Sequence, residues 1–176
     1  MSSNRRLVYW DSCIPVHYIE GTPEWLPILD NLLANSADQA SELQLITSTF
    51  TITEVAFTEA EKVHLKEFPQ AREAIESFWR SRAITLVELH ELIAMEARDI
   101  VRRSMMERWK IKPNDAVHLA TAQHLEVNAF HTLDKALLAC DDRFPFRITA
   151  PDLFWSTKTS ISTMPGQLYL PDLVSE

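Results

Sequence analysis

Short apolar runs alternate along this chain with longer stretches in which apolar residues recur every three or four positions. Leu7–Trp10, Leu43–Ser48, Ala83–Val87 and Ala129–Leu133 read as buried strands, and Arg147–Ala150 as a fifth. Helical spacing fills the gaps. A short helix is expected through Ile14–Ile19. Thr22-Pro23 suits an N-cap and first helical position for a helix carrying Trp25, Ile28, Leu29, Leu32 and Leu33. Thr51–Glu54 opens another helix, and Pro69 begins one that carries Ile75 and Phe78. Leu89, Leu92, Ile93, Ile100 and Val101 form a stripe that only Glu96 interrupts. Pro113 opens a helix with Val117, Leu119, Ala120 and Ala122 available for burial, and a short helix follows at Ala136–Ala139. Strands separated by helices imply an α/β fold: one parallel sheet of four to five strands, with right-handed crossovers and flanking helices.

The pattern marks residues 6–150 as one domain. Residues 151–176 then form an irregular tail, Ser/Thr-rich from 156 and broken by Pro165, Gly166 and Pro171, with an oligomer arm as the alternative. A chain that is 46% hydrophobic and 24% charged is ordinary for a folded protein. Two glycines against nine prolines leave no Gly-rich phosphate loop, which removes Rossmann and P-loop readings. Cys13 and Cys140 are too few for a disulfide scaffold or a zinc site. No apolar run approaches a membrane span and the N-terminus lacks a signal-peptide core, so a cytoplasmic protein without membrane association is expected.

A net charge of −8 argues against non-specific binding to nucleic acid. Basic residues are nevertheless bunched: Arg98, Arg102, Arg103, Arg108, Lys110 and Lys112 share one short stretch. A solvated helix face is the plain reading of such a run. A phosphate-contact rim or a seat for an acidic partner is the sharper one.

Four acidic residues carry the candidate chemistry. Asp11 follows the first strand, Glu54 ends Thr-Ile-Thr-Glu, Asp115 lies in the first turn after Pro113, and Asp134 follows the fourth strand. In an open α/β sheet these places gather at the carboxyl ends of the strands. Carboxylates gathered there ionise together only at a cost that a cation would offset. Each also has a structural reading: Asp11 and Asp134 as N-caps, Thr51-x-x-Glu54 as a capping box, Asp115 as a first-turn acid on the helix dipole.

Order and local context together resemble the PIN-domain family, of the kind that serves as VapC-type toxins. The matching pieces are Val8-Tyr9-Trp10-Asp11-Ser12, Thr47-Ser48-x-x-Thr51-x-Thr53-Glu54-Val55, Asp115-Ala-Val-His-Leu-Ala-Thr-Ala122 and Thr132-Leu133-Asp134. The third is the most specific, and the resemblance spans roughly residues 6–150. It implies a metal-dependent endoribonuclease, with Asp11, Glu54, Asp115 and Asp134 serving Mg²⁺ or Mn²⁺. Asp11 and Asp115 would hold the principal ion, Asp134 would complete the site or recruit a second ion, and Glu54 would act through water. Thr132 would fix a carboxylate rotamer from the outer shell. It further implies an RNA substrate, a small antitoxin partner of a type II toxin–antitoxin pair, and a homodimer. Trp25 and Leu29 are candidates for an antitoxin groove, with core packing as the plainer reading. Cys13 stands where the family often has Asn or a similar polar residue.

Other constellations fare worse. His118 and His124, six residues apart, lie on different helix faces, so His118 is better read as a buried, hydrogen-bonded residue than as a zinc ligand. Cys13 has no histidine placed to activate it and reads as inert. Asp141 and Asp142 read as loop acids, and the five tryptophans as core or interface anchors. A haloacid-dehalogenase-type phosphoryl transferase needs a second aspartate two residues after the first, where this chain has Cys13. A non-catalytic PIN-like interaction module, or an RNA-processing PIN nuclease outside any toxin–antitoxin pair, are the remaining alternatives.

Overall fold

Parallel pairing around a central first strand organises the chain. A computed structural model describes residues 5–155. Within them β1 (Arg6–Trp10), β2 (Leu43–Ser48), β3 (Ile84–Val87), β4 (Ala129–His131) and β5 (Arg147–Thr149) make one sheet in the order β3-β2-β1-β4-β5. Every neighbouring pair is parallel. The helices between them are α1 (Cys13–Ile19), α2 (Leu26–Ala37), α3 (Phe50–Glu54), α4 (Glu59–His64), α5 (Pro69–Arg80), α6 (Glu91–Met106), α7 (Pro113–His124) and α8 (Lys135–Leu138). No helix among the described residues is long and apolar enough to cross a membrane.

Successive strand residues point to opposite faces, and both faces are covered. Val8, Trp10, Leu45 and Ala129 pack with Ile14, Leu29, Leu33 and Phe78 from α1, α2 and α5. Tyr9, Ile46, Phe130 and Ile148 pack with Ile93 and Ile100 of α6 and with Leu119 and Ala120 of α7. Burial on both sides is why the strands read as unbroken apolar runs. Since β2 and β4 lie on opposite sides of β1, connections turn away from each other at the carboxyl ends of β1 and β4. That switch point opens the crevice in which α/β proteins place their ligands.

Several expectations need correction. The second helix begins at Leu26, and Thr22 lies in the turn before it. The Thr22 hydroxyl is 3.0 Å from His17 Nδ1, and Pro27 occupies the proline-tolerant first turn instead. Thr51 and Glu54 form no capping box. Thr51 lies inside α3, bonded through its hydroxyl to Thr47 at 2.7 Å, and Glu54 is the last helical residue. The capping box is Thr58 with Glu61, at the start of α4, a helix too short to show a periodicity. On α6 the buried stripe is Ile93, Ala97, Ile100 and Ser104, whereas Leu92 is 59% exposed. Small Ala97 and Ser104 suit the close approach of α6 to α7, which has its own small buried residues Ala116, Ala120 and Ala122. Leu29 is fully buried and Trp25 packs against the same core, so neither offers an open groove. Of the expected tail, residues 151–155 include a 3-10 turn at Leu153–Trp155, and the remainder lies outside the described residues.

His131 is a testable consequence of this burial. It sits in the ladder beside Trp10 and Thr149 with no exposed surface. Burial, and secondly the nearby Arg147 charge, push its pKa from the ordinary 6.5 down to about 3. The unfolded chain therefore binds this proton near pH 6.5 while the folded chain refuses it until about pH 3. Stability falls as pH drops through that window. His131→Leu should shrink the loss of urea midpoint between pH 7 and pH 4.5. An identical loss in both proteins would contradict this role.

Candidate active site

Asp11 is delivered by the end of β1. Its backbone N–H donates to the His131 carbonyl at 3.0 Å, extending the β1–β4 ladder one residue into the crevice. The carboxylate is only 4% exposed and is fixed on both oxygens. Oδ1 accepts the Ser12 N–H at 2.8 Å, while Oδ2 accepts the Thr132 hydroxyl at 2.7 Å and the Cys13 thiol at 3.3 Å. Burial first, then the Asp11 charge, pushes the Cys13 pKa to about 12, so the thiol is a donor here and no nucleophile.

The same Thr132 hydroxyl accepts the Asp134 N–H at 3.0 Å, linking the two acidic positions through one side chain. Asp134 caps α8, with Oδ1 accepting the Ala136 N–H at 2.7 Å. Its Oδ2 makes no hydrogen bond among the described residues. Asp115 lies in the first turn of α7. Burial raises its pKa, and the charge of Asp11, then that of Asp134, adds to the rise against the pull of Lys112. Asp11, Asp115 and Asp134 thus share one electrostatic neighbourhood.

Glu54 lies beside that group and is held differently. Oε1 accepts from Asn114 Nδ2 at 2.9 Å, and Oε2 lies 2.5 Å from His118 Nε2. His118 Nδ1 is 2.7 Å from the Tyr9 hydroxyl, which accepts the Ser48 N–H at 3.0 Å. A proton on Nε2 faces Glu54, whichever partner donates in the bond between Nδ1 and the Tyr9 hydroxyl. Burial alone would raise the Glu54 pKa. The His118 bond and charge, with Asn114 and Ser12, outweigh it and hold the carboxyl below the usual range. His118 Nε2 also lies 4.0 Å from Asp11 Oδ1, so the buried ring stands between the two acids.

The structure therefore brings three of the four acids into mutual influence and ties the fourth into a polar relay from Tyr9. Among the described residues, no three His, Cys, Asp or Glu side chains already form a cage that could hold an ion. Asp141 is structural, its Oδ1 accepting the Ile148 N–H at 2.5 Å. Tyr9, Ser12 and Asn114 escape a reading that looks for acids alone. The signals for two of them were position: Asn114 directly precedes Asp115 at a helix start, and Tyr9 carries the one hydroxyl of the first apolar run.

The sequence profile of the PIN domain matches residues 8–142. The chain belongs to the PIN-domain family. No curated protein matches it by sequence. Among solved structures, a chain of VapBC2 from Rickettsia felis, bound to a DNA fragment from its promoter, superposes with a TM-score of 0.60 at 13% identity, covering 83% of this chain and 99% of that one. VapC20 of Mycobacterium tuberculosis, described as a sarcin–ricin loop cleaving toxin, gives 0.53 at 12% identity over 72% and 89%. A toxin–antitoxin complex from Klebsiella pneumoniae gives 0.51 at 18% identity over 82% and 98%. At such identities the likeness is one of fold, and the described part of this PIN domain is a five-stranded member flanked by helices.

Removing His118 should expose its work on Glu54. His118→Ala leaves two buried polar partners unmatched, which should cost about 2–3 kcal/mol in urea unfolding. The Glu54 carboxyl, followed by ¹³C NMR, should titrate higher in the variant. An unchanged midpoint would contradict the relay.

Proposed function

We propose that the protein is a metal-dependent endoribonuclease, and the toxin of a type II toxin–antitoxin pair. The observation that carries this reading is the convergence of Asp11, Asp115 and Asp134 at the carboxyl ends of β1 and β4. There the Asp115 carboxyl is raised partly by the charges of the other two. An all-oxygen, anionic donor set suits a hard divalent cation, Mg²⁺ or Mn²⁺, which takes few protein ligands and keeps several waters. Neutralising three crowded carboxylates would offset the repulsion that the site otherwise carries. Membership in the PIN family and the fold shared with VapBC complexes support the same reading.

When bound, a divalent ion supplies Lewis-acid stabilisation of charge on the scissile phosphate and lowers the pKa of a neighbouring water. The chain's own residues supply position. Asp11, locked by Ser12 and Thr132, and Asp115, on the first turn of α7, would hold the ion, with Asp134 completing the site through Oδ2. Glu54 is kept ionised by His118 and Asn114, and is therefore available to orient an attacking water or accept its proton. Thr132 holds the Asp11 rotamer in the outer shell.

The partner assignment rests on the neighbours: a small antitoxin protein, and a homodimer as in the resembled family. A PIN nuclease of RNA processing, outside any such pair, would use the same site. A binding module that keeps the acids without turnover is the contrasting reading. Purified protein incubated with a mixed RNA pool in Mn²⁺ or Mg²⁺ should give cleavage that EDTA abolishes and that Asp115→Asn lowers by at least 10²-fold. Equal cleavage by wild type and variant would overturn the acidic-site mechanism. No cleavage with either ion would favour the binding module.

A further inference from the structure

The structure sorts the bunched cations into two groups. Arg98 pairs with Asp99 at 2.8 Å. Arg103 stacks on Trp109 and Phe144, 5.5 Å and 5.7 Å from the ring centres. Arg143 covers Trp109 at 5.0 Å and pairs with Glu107. Arg103 and Arg143 cover the aromatic end of the core, whereas the Arg98 pair lies on the surface. Arg102, Arg108, Lys110 and Lys112 are exposed and make no ion pair among the described residues; Arg102 lies on α6, and the other three follow it in the chain.

Their placement follows from alternation. Between α6 and α7 the chain alternates outside and inside: Arg108 out, Trp109 in, Lys110 out, Ile111 in, Lys112 out. Trp109 and Ile111 are anchored in the core under α6 and α7. The three cations consequently stand on solvent together, on the segment that leads directly into the first turn of α7, where Asp115 lies. Lys112 is near enough to Asp115 for its charge to oppose the rise in that carboxyl's pKa. Across the crevice, Lys135 follows Asp134, also exposed and without an ion pair among the described residues. In a chain of net charge −8, acids to pair with these cations are plentiful. Four unpaired cations instead flank one acidic site.

We propose that Arg108, Lys110, Lys112 and Lys135 form the contact surface for the phosphates of single-stranded RNA on either side of the scissile bond. The inference rests on the nuclease reading and deepens it. The acids at the centre repel a polyanion, so attraction has to come from the rim, on phosphates adjacent to the one that reacts. An acidic protein segment would meet the same charges. RNA fits better because the row of cations runs into the catalytic crevice, where a phosphate has to sit.

Binding can be read apart from cleavage. In an Asp115→Asn background with EDTA, fluorescence anisotropy of a labelled mixed-sequence RNA 20-mer is followed across KCl concentrations. The triple change Arg108→Gly, Lys110→Ala, Lys112→Ala should lower affinity at low salt at least tenfold. It should also flatten the slope of log K against log salt by about 2, since each single-strand phosphate contact contributes roughly 0.7. Arg108 has φ 62°, a left-handed conformation that glycine adopts more easily, so Arg108→Gly alone should leave Tm unchanged or raised while weakening RNA binding. The control pair Arg5→Ala and Arg82→Gly, the latter also at a positive φ, removes exposed cations that line a polar hollow at the starts of β2 and β3, at the opposite end of the strands. It should leave the slope unchanged.

An unchanged slope in the triple variant, with wild type still cleaving RNA in Mn²⁺, would overturn the rim alone. No salt-dependent RNA binding by the background protein, together with no cleavage by wild type, would overturn the nuclease reading and the rim with it. Unchanged RNA binding in the triple variant, with loss of binding to a labelled poly-glutamate peptide, would assign the surface to an acidic protein and overturn the proposal.

Discussion

Acidic side chains sharing one electrostatic neighbourhood at the end of a parallel sheet are the constraint on which this molecule turns. Asp11 is buried and fixed on both oxygens, Asp134 is fixed by a cap and by Thr132, and Asp115 on α7 feels the charges of both. The Asp11 and Asp134 carboxylates are held by the bonds that close a strand end and a helix start. Repulsion is therefore built in, and a cation is the natural way to relieve it. The polar scaffold around the acids is what makes this tolerable. Ser12, Thr132, Asn114 and His118 hydrogen bond the carboxylates rather than leave them bare, and the Tyr9 relay ties Glu54 back to the β2 backbone.

The central strands were legible because both faces of the sheet are covered there, so β1 and β4 are built on buried apolar residues, whereas the edge strands β3 and β5 are partly exposed. Helix starts marked by Pro69 and Pro113 were legible for the same local reason, since proline favours the first turn. Tertiary choices were not. Glu54 looked like half of a capping box because Thr51 stands three residues before it. Its side chain instead takes Asn114 and His118, partners 60 and 64 residues distant. Nothing local announces such a bond. On α6, Ile93 and Ile100 are buried as expected, but Leu89, ahead of the helix, and Leu92 are exposed, and the small Ala97 and Ser104 complete the buried stripe because they permit close packing.

For the candidate site, acidity was visible and support was not. The four acids stand out by type and by place, after a strand or at a helix start. Tyr9 reads as one more apolar strand residue, and Cys13 as a departure from pattern. In the fold the thiol donates to Asp11 and its sulfur accepts the Leu133 N–H at 3.3 Å. Cys13 thus links the chain after β1 to the chain after β4. Cation placement shows a similar division, since the sequence bunches six basic residues while the fold lays Arg103 on Trp109 and Phe144 and pairs Arg98 with Asp99 at the surface.

The central claim is that burial, and then the charges of Asp11 and Asp134, penalise the ionised Asp115, a penalty that a bound cation would relieve. Thermal unfolding with and without Mn²⁺ measures it directly. Because its folded pKa is raised, the ionised form of Asp115 costs stability at pH 7.5. Asp115→Asn should therefore unfold a few degrees higher than wild type in EDTA, about 2–4 °C for each 1 kcal/mol relieved. Mn²⁺ should raise the wild-type Tm and leave the variant nearly unmoved. A variant that unfolds lower in EDTA and gains as much from Mn²⁺ as wild type would contradict the claim.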